Sequence, residues 1–384
     1  MIQRYGPPGL LVAAIVWATA SGGGTSARDL TVVLGTLLVA STAAGNRARP
    51  FAMPAGLLVS LLALLGWLVA AGPLRSGMSL TSVRVPALVL IVVLTVTTVR
   101  LFDHHQREWT LHGIVAVGSL HATIALGQAL AQLATTGWPS PPRADSFLGN
   151  ANALGVLLIA SAALTAREIE VRRHRLFLVA IVLQGVAVLA TGSRLALVLG
   201  TGLLLIWALS RRRTWRTTAA GALWLLAAGV IGLSRSVGTP PERLQLWLSA
   251  LKEIAQRPWI GRGTTPTEFD IGPSQALATT HAHNEVLQLA VEYGLIGLAL
   301  AGVLLVLAYR SAPRRVTCDK WILAAALSLL ASGLTDFGLR ITAVAVTTAA
   351  LGTMAALAPR PALPQDAADA QAAAGPGRRG RPRV

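Results

Sequence analysis

An all-α, polytopic integral membrane fold of about twelve transmembrane helices is what this sequence predicts, and three observations predict it. The 384 residues are 53% hydrophobic and 13% charged, too little polar surface to cover a water-soluble chain of this size. Apolar windows long enough to cross about 30 Å of hydrocarbon recur along most of the chain. The 33 lysines and arginines are shared about two to one between alternate connections.

In chain order the windows fall near 7–24, 29–45, 53–72, 84–102, 111–133, 148–166, 176–191, 194–210, 217–233, 286–309, 321–335 and 337–357. Those near 29–45, 176–191 and 321–335 are short, which fits tilted or partly re-entrant segments. The first is expected to be a retained span, because no small-x-small cleavage pattern stands out from the general alanine and glycine. Residues 1–358 form one polytopic membrane domain in this reading. The tail 359–384, rich in Ala, Pro, Gly and Arg, cannot bury a core and is expected to be a disordered, basic, cytoplasmic extension.

The charge distribution gives an orientation. Arg167, Arg172, Arg173 and Arg175, then Arg211, Arg212, Arg213 and Arg216, then Arg310, Arg314, Arg315 and Lys320 lie on connections of one parity. That bias puts both termini on the cytoplasmic side of the cytoplasmic membrane. The formal charge of +17 is then mostly a topology signal and a contact for anionic lipid heads, not a nucleic-acid surface, for which there is no recognition motif. The single cysteine, Cys318, excludes an intramolecular disulfide and a cysteine-based metal cluster.

One outer connection is large, 234–284. Thr239-Pro240-Pro241 suits a helix start, and Leu244, Trp247, Leu248, Leu251 and Ile254 recur at helical spacing up to Arg257-Pro258. This reads as an amphipathic helix lying in the outer interface. Gly261-Arg262-Gly263-Thr264-Thr265-Pro266 follows as a turn-rich loop.

Chemistry concentrates at the end of that loop. His281, His283, Asn284 and Glu285 sit within one turn at the mouth of the apolar run from Val286 to Tyr309. Glu285, Gln288 and Glu292, spaced by three and four, share one helical face. Ionisable groups inside a span face protein or water, because facing lipid costs roughly 2.5–3.5 kcal/mol on insertion scales. A histidine exchanges protons near neutral pH, so His283 is the candidate base, with Asn284 or Glu285 orienting the ring or a substrate. His281 is a weaker candidate, and both histidines could equally sit on a polar loop edge.

Four ordered stretches resemble the O-antigen ligase and polymerase superfamily of bacterial envelope glycosyltransferases. Phe147-Leu148-Gly149-Asn150-Ala151-Asn152 is similar to its Gly-Asn-x-Asn segment, and Thr191-Gly192-Ser193-Arg194 to its Ser-Arg step. Arg243-x-x-x-Trp247 with Arg257-Pro258-Trp259-Ile260-Gly261-Arg262-Gly263 resembles its loop helix and Pro-x-x-Gly-x-Gly turn. His283-Asn284, then Glu292-Tyr293-Gly294-Leu295-Ile296-Gly297, with Asp336 in a later span, completes the set. Together they cover residues 147–340. Two departures are Leu195, where a small residue is commoner, and a large loop that is short for the family.

The resemblance implies a membrane-embedded ligase that moves a glycan from a polyprenyl-diphosphate carrier to an acceptor hydroxyl at the outer face. It gives His283 the role of base, and Arg194 and Arg243 the role of holding the donor diphosphate. Arginine suits a leaving group that gains negative charge, because its contacts are bidentate and permanently charged. Each also has a plainer reading: Arg194 as an interfacial arginine with its head in water, Arg243 as a lipid-head contact. His281, Asn284, Glu285, Arg262 and Asp336 are the further substrate-binding candidates. Asp336 pairs either with Arg340 four residues on or with a site arginine. Asn150 and Asn152 shape the outer end of span 148–166 or cap its helix.

No metal and no cofactor are expected. Glu268-x-Asp270 resembles acidic metal-binding pairs but fits a solvated turn, and His104, His105 and His112 lie on the other side of the membrane. The partners implied are a lipid-linked glycan donor, a lipid, glycan or protein acceptor, and the bilayer. A polysaccharide polymerase and a protein O-oligosaccharyltransferase would use the same parts. A lipid-linked glycan transporter or flippase would bring internal repeats and charges deep in several spans, and neither is visible. A purely structural envelope component would not need His283.

Overall fold

The computed structural model describes residues 2–45, 53–136, 143–210, 215–234, 240–265, 269, 281–311, 319–336 and 338–357. The helices are α1 (Ile2–Ala20), α2 (Ala27–Gly45), α3 (Ala55–Ala71), α4 (Pro73–Ser76), α5 (Leu80–Leu101), α6 (His104–Thr136) and α7 (Ala151–Arg172). They continue with α8 (Arg175–Thr191), α9 (Arg194–Ser210), α10 (Trp215–Ser234), α11 (Pro240–Gln256), α12 (Glu285–Ser311), α13 (Lys320–Thr335) and α14 (Thr342–Leu357). Short 3-10 turns occupy Ser146–Leu148 and Gly338–Arg340. Thr239, Glu268, Asp270, Cys318 and the tail 359–384 lie outside the described residues.

Every apolar window read from the sequence falls on a helix. Five stretches are long and apolar enough to cross a membrane by length and composition: Ala27–Gly45, Ala55–Ser76, Leu80–Leu101, His104–Thr135 and Glu285–Ser311. The chain is accordingly a multi-pass, all-helical membrane protein.

Helix α7 is the centre of the bundle, packed against α6, α8, α9 and α13. Its small residues permit that crowding: a Cβ on Gly155 would stand 2.8 Å from the Ala196 Cβ of α9. With apolar side chains on all faces, polar groups inside must satisfy one another. Gln184 of α8, fully buried, donates to Ser161 at 2.9 Å and Ser119 at 3.1 Å and accepts from Thr165 at 3.1 Å, tying α6, α7 and α8 together.

Charged groups gather at the two ends of the bundle. At one end Arg167 reaches Glu108 at 2.6 Å, Glu168 at 2.7 Å and Asp319 at 2.7 Å, and Arg172 reaches Glu168 at 2.8 Å. His112 lies 3.0 Å from the same Glu168. Glu108, His112 and Glu168 have ligand atoms close enough to share an ion. Their carboxylates are already engaged by the two arginines, which makes the cluster a joint between α6, α7 and α13. The opposite end carries the Gly22–Gly24 turn, the 143–150 segment, the α8–α9 corner and residues 281–285, 336 and 338–340.

Two expectations change. The run from Val286 to Tyr309 is not one continuous helix: α12 breaks at Gly294, whose φ of 69° and ψ of −176° no helix contains. The loop helix α11 exists over the expected residues, but its apolar face is shared between two surfaces. Leu246 and Ala250 are buried against Phe269, Ala282 and Val291, with Ile254 partly buried beside them. Leu244, Leu248 and Leu251 stay about half exposed on the adjoining strip. The apolar arc is wider than the five residues read from spacing, so one side docks on protein and the other is open.

Candidate functional site

Residues 281–285 form the turn that opens α12. Asn284 caps the helix, its Oδ1 accepting from the N–H groups of Val286 at 3.0 Å and Leu287 at 3.1 Å. Its Nδ2 donates to the Leu334 carbonyl at 2.9 Å. Gln288 accepts from the Ala282 N–H at 2.7 Å, closing the turn from behind. Between these braces His283 is held at φ 47°, a left-handed conformation that costs a non-glycine residue of order 1–3 kcal/mol and persists only where the surroundings fix it.

That turn aims the ring at Asp336. The Nδ1 of His283 lies 2.8 Å from Oδ1 of Asp336, and Asn152 Nδ2 donates to the other carboxylate oxygen at 2.7 Å. Asp336 directly follows α13, is 5% exposed, and has extended backbone. A carboxylate that only accepts fixes the proton on Nδ1, leaving Nε2 as the basic nitrogen of the neutral ring.

A second rung joins the same two segments. Arg340 Nε meets Glu285 at 3.0 Å, and its two Nη groups grip both oxygens of Glu292 at 2.8 and 2.9 Å. The shared face of Glu285, Gln288 and Glu292 is therefore real but is directed at Arg340, and Gln288 also donates to Glu292 at 2.7 Å. Glu285 does not orient the histidine; Asp336 does. Of the two partners expected for Asp336, Arg340 is taken up by Glu285 and Glu292. Asp336 is extended and Gly338–Arg340 form a 3-10 turn, so the four-residue helical spacing to Arg340 does not apply. His281 is half-buried beside this pair; burial and then the nearby Arg340 push its pKa below the usual 6.5, against the pull of Glu292.

The four motif stretches acquire structural reasons. Gly149 is left-handed at φ 66°, and Asn150 caps α7 by accepting from Ala153 N–H at 3.0 Å, so of the two asparagines Asn150 caps and Asn152 holds Asp336. Gly192 ends α8 at φ 58° and Ser193 begins α9, which makes Arg194 the first residue of that helix. The Pro258–Gly263 turn threads into the break of α12. Arg262 N–H donates to Val291 O at 2.7 Å and Gly263 N–H to Glu292 O at 2.9 Å, while Leu295 N–H returns to Pro258 O at 2.7 Å. A Cβ on Gly261 would lie 2.5 Å from the Glu292 carbonyl oxygen, and one on Gly294 would collide with the Trp259 carbonyl; both glycines have positive φ. Trp67 Nε1 donates to the Tyr293 carbonyl that the break leaves open, at 2.9 Å. The side chain of Arg262 pairs with Glu253 at 2.7 Å.

These pieces surround a cavity of about 380 Å³ lined by Arg143, Asn150, Asn152, Gly192, Arg194, Leu195, Arg243, Ser332, Thr335 and Asp336, among others. Arg194 and Arg243, singled out separately in the sequence, meet here. His283 joins the cavity through Asp336. The N-terminal turns of α7, α9 and α11 all contribute to the wall, so their helix dipoles add to the arginines' positive field. Such a cavity favours a ligand with several negative charges. Arg143 was not among the candidates read from the sequence; its place in the wall comes from the packing of the 143–148 segment.

A family model described as O-antigen ligase matches residues 177–302. The matched segment contains Arg194, Arg243, the Pro258–Gly263 turn, His283 and the break of α12; Asn152 and Asp336 lie outside it. No curated protein matches the chain.

Proposed function

We propose that this chain, a member of the O-antigen ligase superfamily by its residues 177–302, transfers a glycan from a polyprenyl-diphosphate carrier to an acceptor hydroxyl. The observation that carries the reading is the cavity in which Arg194 and Arg243 face Asp336, whose carboxylate is hydrogen-bonded to His283.

In the proposed reaction Nε2 of His283 takes the proton of the acceptor hydroxyl as its oxygen attacks the anomeric carbon of the donor sugar. The bond from that carbon to the diphosphate oxygen breaks, and the polyprenyl diphosphate leaves carrying the electron pair and one more negative charge. Asp336 keeps the ring in the useful tautomer and stabilises the imidazolium that forms. Arg194 and Arg243 hold the diphosphate and stabilise its growing charge. The displacement is direct, with no covalent enzyme intermediate, and the arginines supply the charge that a divalent ion would otherwise bring. The arginine-rich connections support placing the site at the outer face of the cytoplasmic membrane, with both termini inside. An acceptor that is another lipid-linked glycan would make the protein a polymerase, and a protein hydroxyl would make it an O-oligosaccharyltransferase.

The test is transfer from a polyprenyl-diphosphate donor by the purified protein in nanodiscs, with EDTA present and acceptors pooled. Wild type should transfer glycan, and His283→Ala should lose roughly 10²- to 10⁴-fold in rate. Equal rates would remove His283 from the chemistry, and loss of wild-type transfer on chelation would remove metal independence.

A further inference from the structure

We infer that Arg143 is a third donor-binding arginine, matched to the charge that the diphosphate gains as it leaves. The inference rests on the transferase reading above and goes beyond it, since neither the motifs nor the family match reaches this residue. Arg143 lies in the connection between α6 and α7, exposed, and lines the same cavity as Arg194 and Arg243. Three separate connections thus each deliver one arginine to one space.

The backbone that carries Arg143 is fixed on both sides. Its own N–H donates to Gln132 Oε1 at 3.0 Å, and the next N–H, that of the fully buried Ala144, donates to the Ala190 carbonyl at the end of α8 at 3.1 Å. Two residues on, Ser146 N–H donates to Gln128 Oε1 at 2.7 Å, and the Ser146 hydroxyl lies 2.9 Å from Nδ1 of the buried His121. An exposed loop arginine needs none of this to stay soluble. A cation that must stand at a set distance from two others does, because preorganised charges cost nothing to reorient during the reaction.

The charge count assigns the role. A diphosphate esterified at both ends carries two negative charges, and cleavage of the sugar bond raises this to three. With Asp336 counted with the His283 it holds, Arg194 and Arg243 match the two charges of the bound donor, and Arg143 matches the third charge that appears as the bond breaks. An interaction stronger in the transition state than in the ground state raises kcat more than it lowers KM. Arg143→Ala should therefore lower kcat by roughly ten- to a hundredfold, the worth of one charge-assisted contact, with a smaller change in donor KM. It should also weaken inhibition by inorganic pyrophosphate, which resembles the leaving group, by about tenfold or more.

The experiment measures donor kcat and KM, and inhibition by inorganic pyrophosphate, for the full chain and for Arg143→Ala and Arg143→Lys in nanodiscs, with thermal melting as a check on the fold. A lower kcat with weaker pyrophosphate inhibition in the alanine variant, and an intermediate lysine variant that keeps the charge without the fork, supports the inference. If wild type transfers glycan and both variants match it in kcat and inhibition, Arg143 has no such role and the transferase reading stands. If the alanine variant melts early, the lysine variant decides by the same two readouts. If wild type transfers no glycan, the transferase reading itself falls and takes the inference with it.

Discussion

His283 and Asp336 are 53 residues apart in the chain and 2.8 Å apart at Nδ1 and Oδ1, and each lies just outside a helix that points it at the other. The contact runs beside two others between the same segments, Asn284 Nδ2 to the Leu334 carbonyl at 2.9 Å and Glu285 to Arg340 at 3.0 Å. Three parallel contacts in consecutive residues fix the histidine ring more tightly than one could.

Asp336→Asn should cut glycan transfer by roughly 10²- to 10⁴-fold, because an amide can present either its oxygen or its nitrogen to the ring and no longer stabilises the imidazolium. The double variant with His283→Ala should be no slower than His283→Ala alone, since the two act as a unit. Additive losses in a kinetic double-mutant cycle would show that Asp336 acts elsewhere.

Arg340→Met should destabilise the protein by about 3–5 kcal/mol, because Glu285 and Glu292 would be left buried without their cation. The triple variant with Glu285→Gln and Glu292→Gln should recover much of that loss. Thermal melting in detergent reads both, and an unchanged melting temperature for Arg340→Met would contradict the structural role given to this cluster.

Gly294→Ala should destabilise through backbone strain and the collision with the Trp259 carbonyl, by more than the roughly 1 kcal/mol typical of glycine exchanges. Gly302→Ala on the same helix, where an added Cβ meets nothing within 4 Å, should be neutral or slightly stabilising. Limited proteolysis of the 257–264 loop should accelerate in the first variant only; equal cleavage would show that the loop does not depend on the break.

His281 makes stability depend on pH with a defined sign. Its pKa is lowered in the folded protein by burial and by Arg340, so the unfolded chain binds a proton first as pH falls. Its stabilisation is complete above the ordinary value of 6.5 and is lost as pH falls below it, through the lowered folded value. His281→Gln should flatten the drop in melting temperature between pH 7.5 and pH 5.5. An identical drop in both proteins would assign the acid sensitivity to other groups.

Much of the helical layout was legible because hydropathy and turn chemistry are local. Each apolar window became a helix, and Gly149-Asn150 and Gly192-Ser193 could be read as corner residues from their types alone. The break at Gly294 was hidden, since glycine is common in membrane helices and the freed carbonyls find their partners in the distant Pro258–Gly263 turn and Trp67.

By itself the sequence determined a multi-pass helical membrane protein, a helix over 240–256, and the candidates proposed for the site: one histidine and two arginines on connections of the same parity. Only the tertiary structure decided which groups meet. Asp336 took His283 and Asn152 instead of Arg340, Arg340 took Glu285 and Glu292, and Arg143 joined Arg194 and Arg243 at one cavity. The physical reason is that burial and periodicity are set by neighbours in the chain. The partner of a buried charge is set by whichever opposite group the packed helices bring within about 3 Å, and no local pattern encodes that distance.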